Sequence, residues 1–174
     1  MIEAEIRAFI NDSEFLRLKQ FFDSSAKFIK EDEQETHYLD FDIDLRIQQA
    51  REYSKVWLKK GKIHDKAREE IEIKTKRENF EELKKLFSAL GYETKVKWLR
   101  RRLQYNWEGV KVSLDNTKGY GKIIELEKQT DENNKEKTLE ELKEKIKALG
   151  IKLTPKEDFE IKYKEYIRQN STLC

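Results

Sequence analysis

Charged side chains alternate with apolar ones in several short segments of the sequence, beginning with MIEAEIRAFI at the N-terminus. Glu3, Glu5 and Arg7 would share one face of an extended strand, because successive side chains of a strand point to opposite faces. The same spacing recurs in Glu125 and Glu127 of KIIELE. Paired carboxylates suit hard divalent cations such as Mg²⁺ or Mn²⁺, whereas Arg and Lys suit phosphate oxygens. If these faces line one enclosed cavity, they predict a site for a polyphosphate with bound metal.

The same mixture of charges occupies one face of most predicted strands. For any single strand the ordinary explanation is a polar face turned to water. Taken together, the strands favour an enclosed charged face, because amphipathic helices would need to cover the opposite, apolar face. Enclosed charges are costly unless they pair or bind a ligand. The candidate inward acids are Glu3, Glu5, Glu70, Glu72, Asp115, Glu125 and Glu127, and the candidate inward bases are Arg7, Arg46, Lys60, Arg68, Lys74, Arg100 and Arg102.

Alternation of period two predicts eight strands, and apolar residues at helical spacing predict four helices. Two helices are expected to begin with capping boxes, Asn79 with Glu82 and Thr138 with Glu141, and each is expected to end at a glycine. A third helix begins near Asp12, and a fourth covers part of the tail. The strands cover the opening segment and about Glu35–Phe41, Asp44–Gln49, Ser54–Lys60, Arg68–Lys74, Lys95–Tyr105, Val110–Asp115 and Lys122–Glu127; the glycines are Gly91 and Gly150, and the fourth helix covers about Phe159–Ile167.

Many strands with few crossover helices predict an α+β fold with a mainly antiparallel sheet. Eight strands are enough for such a sheet to close on itself. We therefore expect a single domain over residues 1–174, an eight-stranded antiparallel β-barrel, or tunnel, with a charged interior and a cover of amphipathic helices.

The composition limits the classes of function. The 37 basic and 35 acidic residues give a net charge of only +2, which is not the one-signed excess of a general nucleic-acid or membrane surface. Cys174 is the only cysteine, so no internal disulfide can form and a reducing compartment fits best. No basic, apolar leader and no long apolar stretch is present, so we expect a soluble cytoplasmic protein. The expected partner is a small molecule and not nucleic acid or a membrane, and the expected state is a monomer or a homodimer. His37 and His64 have no partner at ligand spacing and are expected in surface or capping positions.

Seven segments, taken in order, resemble the motifs of the CYTH superfamily, the triphosphate tunnel metalloenzymes. EAEIR resembles the family's opening E-x-E-x-K motif, DLRIQ its L-R-x-R strand, WLKKG its strand ending in Lys-Gly, and REEIEI its R-x-E-x-E segment. RRRLQY, VSLD and GYGKIIELE resemble its K-x-R-x-x-Y strand, its strand ending in Asp and its G-x-F-x-E-x-E segment. The match covers most of Ile2 to Glu127, and an ordered series is far more specific than any single motif.

The resemblance implies an enzyme that binds a triphosphate in its tunnel with the help of Mg²⁺ or Mn²⁺. Lys60 is preferred to Lys59 as the inward lysine because Gly61 follows it. The residues that would hold metal are Glu3, Glu5, Glu72, Asp115, Glu125 and Glu127; those that would bind the triphosphate are Arg7, Arg46, Lys60, Arg68, Lys74, Arg100 and Arg102; and those that would serve catalysis are Glu3, Glu5, Arg7 and Lys60.

Two positions depart from the family pattern. Arg7 stands where the family has Lys, and a guanidinium group stays protonated, so Arg7 can hold a phosphate but cannot act as a general base. Gln48 stands where L-R-x-R has its second Arg, which removes a charge-assisted contact of roughly 1.5 to 3 kcal/mol. The change at Gln48 would weaken phosphate binding by about one to two decades unless Lys74 or Lys111 compensates, whereas the change at Arg7 bears on base catalysis and not on phosphate binding.

Three functions remain open at this stage. A triphosphatase, the preferred prediction, would hydrolyse tripolyphosphate, a nucleoside triphosphate or thiamine triphosphate. A class IV adenylyl cyclase would convert ATP to cyclic AMP and pyrophosphate, and it would also need an adenine site. A weakly active or inactive polyphosphate-binding module would account for the departures at Arg7 and Gln48.

Overall fold

The structure is a computed structural model that describes residues 2–60, the backbone of residues 67–68, and residues 70–170. A one-turn 3₁₀ helix, Arg77–Asn79, precedes the second α-helix. The strands are β1 (Ile2–Ile10), β2 (Lys27–Leu39), β3 (Asp44–Gln49), β4 (Tyr53–Lys59), β5 (Ala67–Arg68), β6 (Glu70–Lys76), β7 (Thr94–Trp107), β8 (Val110–Thr117) and β9 (Gly121–Thr130); the helices are α1 (Asp12–Ser25), α2 (Phe80–Ala89), α3 (Lys135–Ala148) and α4 (Lys156–Asn170).

The strands form one antiparallel sheet in the order β5-β1-β9-β8-β7-β2-β3-β4-β6. The predicted strand over Arg68–Lys74 is divided into β5 and β6, which lie at opposite edges of this order and are separated by one residue of chain. Hydrogen bonds among the described residues therefore do not close the sheet, although its two edges belong to one interrupted strand. Counted as one, β5 and β6 give the eight strands that the α+β tunnel prediction requires.

Strand β2 is much longer than predicted. It begins at Lys27 rather than near Glu35 and pairs with β7 from Lys27 opposite Asn106 to Leu39 opposite Thr94. Its first half, KFIKEDE, carries charged or polar side chains on both faces and so lacks the alternation that reveals a strand. This half of β2 is therefore stabilised by its hydrogen bonds to β7 and not by the burial of an apolar face.

Helices α1 and α3 cover the outer, apolar face of the sheet. Leu18 and Phe22 of α1, and Leu142 and Ile146 of α3, are buried in one cluster with the apolar residues of β1, β7, β8 and β9. Each such side chain contributes about 1.5–3 kcal/mol on burial. Because this packing uses the apolar face, the charged face of the same strands is left to line the interior.

Helix α2 packs against β2, β3 and β4 through Phe80, which is buried with Leu39 and Ile47. The edge of the Phe80 ring meets the ring of His37 at a centroid distance of 5.3 Å. His37 is 2% exposed, with Nδ1 3.0 Å from Thr94 Oγ1 and Nε2 2.6 Å from a Glu35 carboxylate oxygen. The expected surface position of His37 is therefore wrong, while His64 lies outside the described residues.

Helix α4, the predicted tail helix, forms a second cluster on the sheet. Phe159 and Tyr166 are buried with Trp98 and Tyr120, and the Tyr166 hydroxyl donates to the Lys97 carbonyl at 2.9 Å. Because Phe159 and Tyr166 each bury a large ring, aromatic packing attaches α4 to the sheet.

The starts of α1 at Asp12 and of α2 directly after Asn79 agree with prediction, whereas α3 begins at Lys135, ahead of the predicted Thr138. Neither predicted capping box forms: the Asn79 side chain donates to Thr75 Oγ1, and α3 begins before Thr138, whose hydroxyl donates to the Asn134 carbonyl. A capping box does open α1, where Asn11 accepts from the Glu14 backbone N–H at 2.9 Å and Glu14 accepts from the Asn11 N–H at 2.8 Å. The helix ends agree with prediction, since Gly91 and Gly150 have φ of +87° and +71°. None of the described helices has the length and apolar character of a membrane span.

Candidate functional site

The inward faces of the strands surround a cavity of about 390 Å³. Nine basic and seven acidic side chains are among its lining, together with aromatic rings from β2, β4, β7 and α4. The bases are Arg7, Lys30, Arg46, Lys55, Lys59, Lys74, Arg100, Arg102 and Lys111, and the acids are Glu3, Glu5, Glu70, Glu72, Asp115, Glu125 and Glu127.

Strands β1 and β9 form an acidic wall of this cavity. They are neighbours in register, so Glu5 lies opposite Glu127 and Arg7 lies opposite Glu125. Like charges placed directly opposite each other in a sheet are destabilising. The acidic wall, which we define as Glu3, Glu5, Glu125 and Glu127, therefore needs cations beside it.

Two cations from β7 and β8 face the acidic wall. Glu125 accepts from Arg102 Nη2 at 3.1 Å, and Glu127 accepts from the Lys111 ammonium group. Burial opposes ionisation of Glu125, but the charges of Arg102 and other arginines outweigh it and hold its pKa well below the usual range. Burial, with the neighbouring Glu125 charge, raises the pKa of Glu127 to about 7. The acidic wall thus carries more negative charge than its neighbours fully compensate.

Arg100 and Arg102 form a basic wall on β7, next to the acidic one. Asp115 of β8, 2% exposed, accepts from Arg102 Nε at 2.7 Å and Nη2 at 2.6 Å, and from Arg100 Nη1 at 3.1 Å. Burial lowers the pKa of Arg100, and the adjacent Arg102 charge lowers it further. One carboxylate therefore orients two guanidinium groups that line the cavity.

Arg46 of β3 is held from three sides. Asp44 accepts from its Nε and Nη2 atoms, each at 2.5 Å, and its Cζ atom lies 4.2 Å from the Tyr38 ring centroid and 5.5 Å from that of Trp57. Bidentate pairing and stacking on rings are the two geometries that favour Arg over Lys. Arg46 lines the cavity in a fixed orientation.

Strands β4 and β6 add a second set of ion pairs. Lys55 donates to Glu72 at 2.6 Å, Lys74 lies 3.3 Å from Glu72, and Lys59 lies 3.0 Å from Glu70. Burial lowers the pKa of Lys55 even though Glu72 opposes the change. These pairs place five charged side chains of β4 and β6 in the cavity lining, and β2 and β3 separate these strands from β7 in the order of the sheet.

The structure brings most of the predicted site residues into the cavity lining. Lys60 is a correction: it is exposed and does not belong to the lining, whereas Lys59 does, because the alternation of β4 turns Lys55, Trp57 and Lys59 inward. The side chain of Arg68 lies outside the described residues. The predicted residues found in the lining are Glu3, Glu5, Arg7, Arg46, Glu70, Glu72, Lys74, Arg100, Arg102, Asp115, Glu125 and Glu127.

Several lining residues were not assigned a role from the sequence. Lys30 and Gln34 lie on the part of β2 that was not predicted to be a strand. The inward orientation of Lys55 and Trp57 could have been predicted from the alternation of side chains along β4 alone. Trp57 is 5% exposed, and its indole Nε1 is a buried side-chain atom without a hydrogen-bond partner in the described part of the chain.

The acidic wall fits a divalent cation by the chemistry of its donors. Its carboxylate oxygens are hard ligands of the kind that Mg²⁺ and Mn²⁺ prefer. Burial raises the pKa of Glu3, and the charges of Glu5 and Glu125 add to that effect against the charge of Lys59, so an entering cation would relieve repulsion there. Within the described ranges no three Asp, Glu, His or Cys side chains are grouped to coordinate an ion as they stand. Glu125 and Glu127 are instead paired with Arg102 and Lys111.

The structure thus shows an antiparallel, tunnel-like sheet whose inner face carries an acidic wall and a basic wall. The chain matches the family model described as the CYTH domain over residues 1–158, and it therefore belongs to the CYTH family.

Individual relatives agree with this assignment. A Methanocaldococcus jannaschii protein named "Putative adenylate cyclase" is 37% identical over 162 residues, which cover 87% of this chain and 91% of that protein. A Pyrococcus horikoshii protein of solved structure is 25% identical with a TM-score of 0.77, over 88% of this chain and 93% of that one. A Hippeastrum protein, described as an adenylyl cyclase candidate with a dominant triphosphatase activity, is 20% identical with a TM-score of 0.64, over 87% of this chain and 89% of that one. This last likeness concerns the fold.

Proposed function

We propose that the protein is a metal-dependent hydrolase that cleaves a triphosphate bound in the cavity, with inorganic tripolyphosphate, a nucleoside triphosphate or thiamine triphosphate as substrate. The observation that carries the proposal is the division of one cavity into an acidic wall on β1 and β9 and a basic wall on β7. Membership of the CYTH family and the triphosphatase activity of the Hippeastrum neighbour support it.

In this proposal the acidic wall holds Mg²⁺ or Mn²⁺, which when bound supplies charge neutralisation at phosphate oxygens and a positioned water nucleophile. Arg100 and Arg102 bind non-bridging oxygens of the triphosphate and stabilise the charge that develops on them. Lys59 and Lys111 add two further ammonium groups beside the acidic wall. Arg7, which stays protonated, binds and orients phosphate and takes no proton from water.

Two alternatives have support of their own. Cyclisation of ATP by a class IV adenylyl cyclase is supported by the name of the Methanocaldococcus jannaschii relative, and the rings of Tyr38, Tyr53 and Tyr163 in the lining offer surface for a base. A polyphosphate-binding module without turnover is supported by Arg7 and Gln48, the two departures from the family motifs.

The deciding experiment measures phosphate release from tripolyphosphate, ATP and thiamine triphosphate with Mg²⁺, with Mn²⁺ and with EDTA, and cyclic AMP from ATP in the same reactions. We expect metal-dependent phosphate release that Glu125→Gln reduces by at least about a hundredfold, because the variant lacks one of the carboxylates that would hold the metal. Glu132→Gln, an exposed residue outside the cavity, is the matched control and should leave the rate unchanged. Cyclic AMP as the main product would favour the cyclase, and tight binding of tripolyphosphate without turnover would favour the binding module.

A further inference from the structure

Gln48 belongs to a chain of hydrogen bonds that ends on Arg100. The Gln48 side chain is 2% exposed, and its amide nitrogen donates to Thr36 Oγ1 at 2.8 Å and to Gln34 Oε1 at 3.4 Å. The same Gln34 oxygen accepts from Arg100 Nε at 3.0 Å and from Nη2 at 2.7 Å. Arg100 Nη1 then donates to Asp115. The Arg100 guanidinium is thus held by an amide on one side and by a carboxylate on the other.

The register of the sheet produces this arrangement. Gln48 of β3 lies directly opposite Thr36 of β2, and Gln34 of β2 lies directly opposite Arg100 of β7. Residues 34 and 36 share a face of β2, because side chains alternate along a strand. Directly opposed side chains in a sheet are close enough to interact. The contacts therefore follow from three paired strands and not from a flexible loop.

The Gln34 amide has one favourable orientation. Its Nε2 atom donates at 3.2 Å to Asp32, a carboxylate that is 3% exposed and that also accepts from the Arg51 backbone N–H at 2.8 Å. Rotating the amide by half a turn would put its oxygen against Asp32 and its NH₂ group against the donors of Arg100, because an amide has one accepting and one donating end. Asp32 and Gln48 together therefore direct the Gln34 oxygen at Arg100.

A neutral side chain at position 48 is suited to this arrangement. A guanidinium there would compete with Arg100 for the Gln34 oxygen and would place another cation near Arg100, which already lies beside Arg102. An amide donates its hydrogen bond without adding charge. Removing the Gln48 amide would take a hydrogen-bond donor away from the buried Thr36 hydroxyl and one of three donors away from the Gln34 oxygen, which is costly in an enclosed site.

We propose that Gln34 and Gln48 are positioning residues that hold the Arg100 guanidinium in the orientation in which it binds the triphosphate, and that position 48 must be neutral for them to do so. The triphosphate in this statement rests on the proposed function. On this account Gln48 supports the phosphate contact of Arg100, and the departure from the family's second Arg does not by itself weaken binding.

The kinetic test compares Gln34→Leu, Gln48→Leu and Gln48→Arg in hydrolysis of tripolyphosphate. Leu nearly preserves the volume of Gln and removes the hydrogen bonds, and Gln→Ala variants provide a second set if a Leu variant does not fold. We expect KM to rise about tenfold or more in Gln34→Leu, which removes bonds to a charged group, and about fivefold in Gln48→Leu, with kcat changed less. Gln48→Arg is expected to raise KM as well. Gln49→Ala, on the same strand but in contact with Arg77, is the matched control with unchanged KM.

A second readout does not depend on activity. The NMR signal of the Arg100 Nε–H proton is assigned by its absence in Arg100→Lys. In the wild type we expect this proton to exchange slowly with water. In Gln34→Leu we expect its resonance to shift and its exchange to be at least about tenfold faster, and in Gln49→Ala we expect both to stay unchanged. An unchanged resonance in Gln34→Leu and Gln48→Leu would overturn the proposal, and so would a lower KM in Gln48→Arg. If the wild type hydrolyses no triphosphate, the proposed function fails, while this resonance and the Kd of tripolyphosphate for the same variants still decide the roles of Gln34 and Gln48.

Discussion

Asp115 binds two guanidinium groups with both of its carboxylate oxygens while its side chain is 3% exposed. Asp115→Asn would leave Arg100 and Arg102 without this counter-charge, and removing one partner of a buried ion pair costs roughly 3–5 kcal/mol. We expect the free energy of unfolding to fall by about that amount in urea titrations of the metal-free protein. Asp40→Asn breaks an exposed pair with Lys95 at 3.5 Å and should change it by less than about 1 kcal/mol. Equal losses in the two variants would contradict an ion-pairing role for Asp115.

Lys59 and Lys60 allow a direct comparison of an inward and an outward lysine. Lys59 lines the cavity and Lys60 does not, although both belong to the WLKKG segment. Lys59→Met should raise KM for tripolyphosphate by about tenfold or more, because a charge-assisted hydrogen bond is worth roughly 1.5–3 kcal/mol. Lys60→Met should change KM by less than about twofold. The reverse order in steady-state kinetics would restore the assignment made from the motif.

For single residues, alternation along a strand predicted which side chains share a face but not which side chain each of them would pair with. The acidic pairs at Glu3 and Glu125 lie in the lining as alternation requires. The choice of Lys60 relied on the following glycine, whereas the period of β4 itself favours Lys59. The role of Asp115 between two arginines depends on the register of β7 with β8, which is not visible in either strand alone.

Among the elements, the interface of α2 with β2 should make stability depend on pH. Burial lowers the pKa of His37 below its ordinary value of 6.5, Glu35 opposes this, and Lys84 and Lys97 add to it. The imidazole of His37 therefore binds a proton more tightly in the unfolded chain than in the folded one. Its contribution to the free energy of unfolding is fully present above pH 6.5 and is lost as the pH falls below that value. We expect His37→Gln to lose less free energy of unfolding than the wild type between about pH 8 and about pH 5. Urea titrations at both pH values measure this, and identical losses would contradict it.

The elements also differ in how well their boundaries follow from sequence. The helix ends at Gly91 and Gly150 were predicted because glycine readily adopts the positive-φ conformation with which helices commonly end. The starts of α1 and α2 were predicted as well, but that of α3 was not, since the T-x-x-E pattern at Thr138 lies inside a helix that already begins at Lys135. The length of β2 could not be predicted because the strand is fixed by pairing with β7 and not by a buried face.

For the whole molecule, α4 joins the helical cover to the cavity. Phe159 is 4% exposed, stacks on Phe9 at a centroid distance of 4.3 Å and lies 5.0 Å from Arg7 Cζ. Phe159→Ala should lower the free energy of unfolding by about 3–5 kcal/mol, the usual cost of removing a buried ring. Ile161→Ala, in the same helix but 57% exposed, should cost less than about 1 kcal/mol. Equal values in urea titrations would show that α4 is not packed as described.

The pairing of β1 with β9 has a consequence for how the chain folds. These strands contribute the whole acidic wall, yet their nine paired positions join the start of the chain to residues 122–130. Contacts so distant in sequence form slowly, because the entropy of closing a long loop is lost before the contacts contribute any stabilising energy. The carboxylates of the acidic wall are thus assembled by the same step that completes the sheet. A nascent chain released before residue 121, or a kinetic intermediate without β9, would keep the arginines of β7 but lack half of the acidic wall.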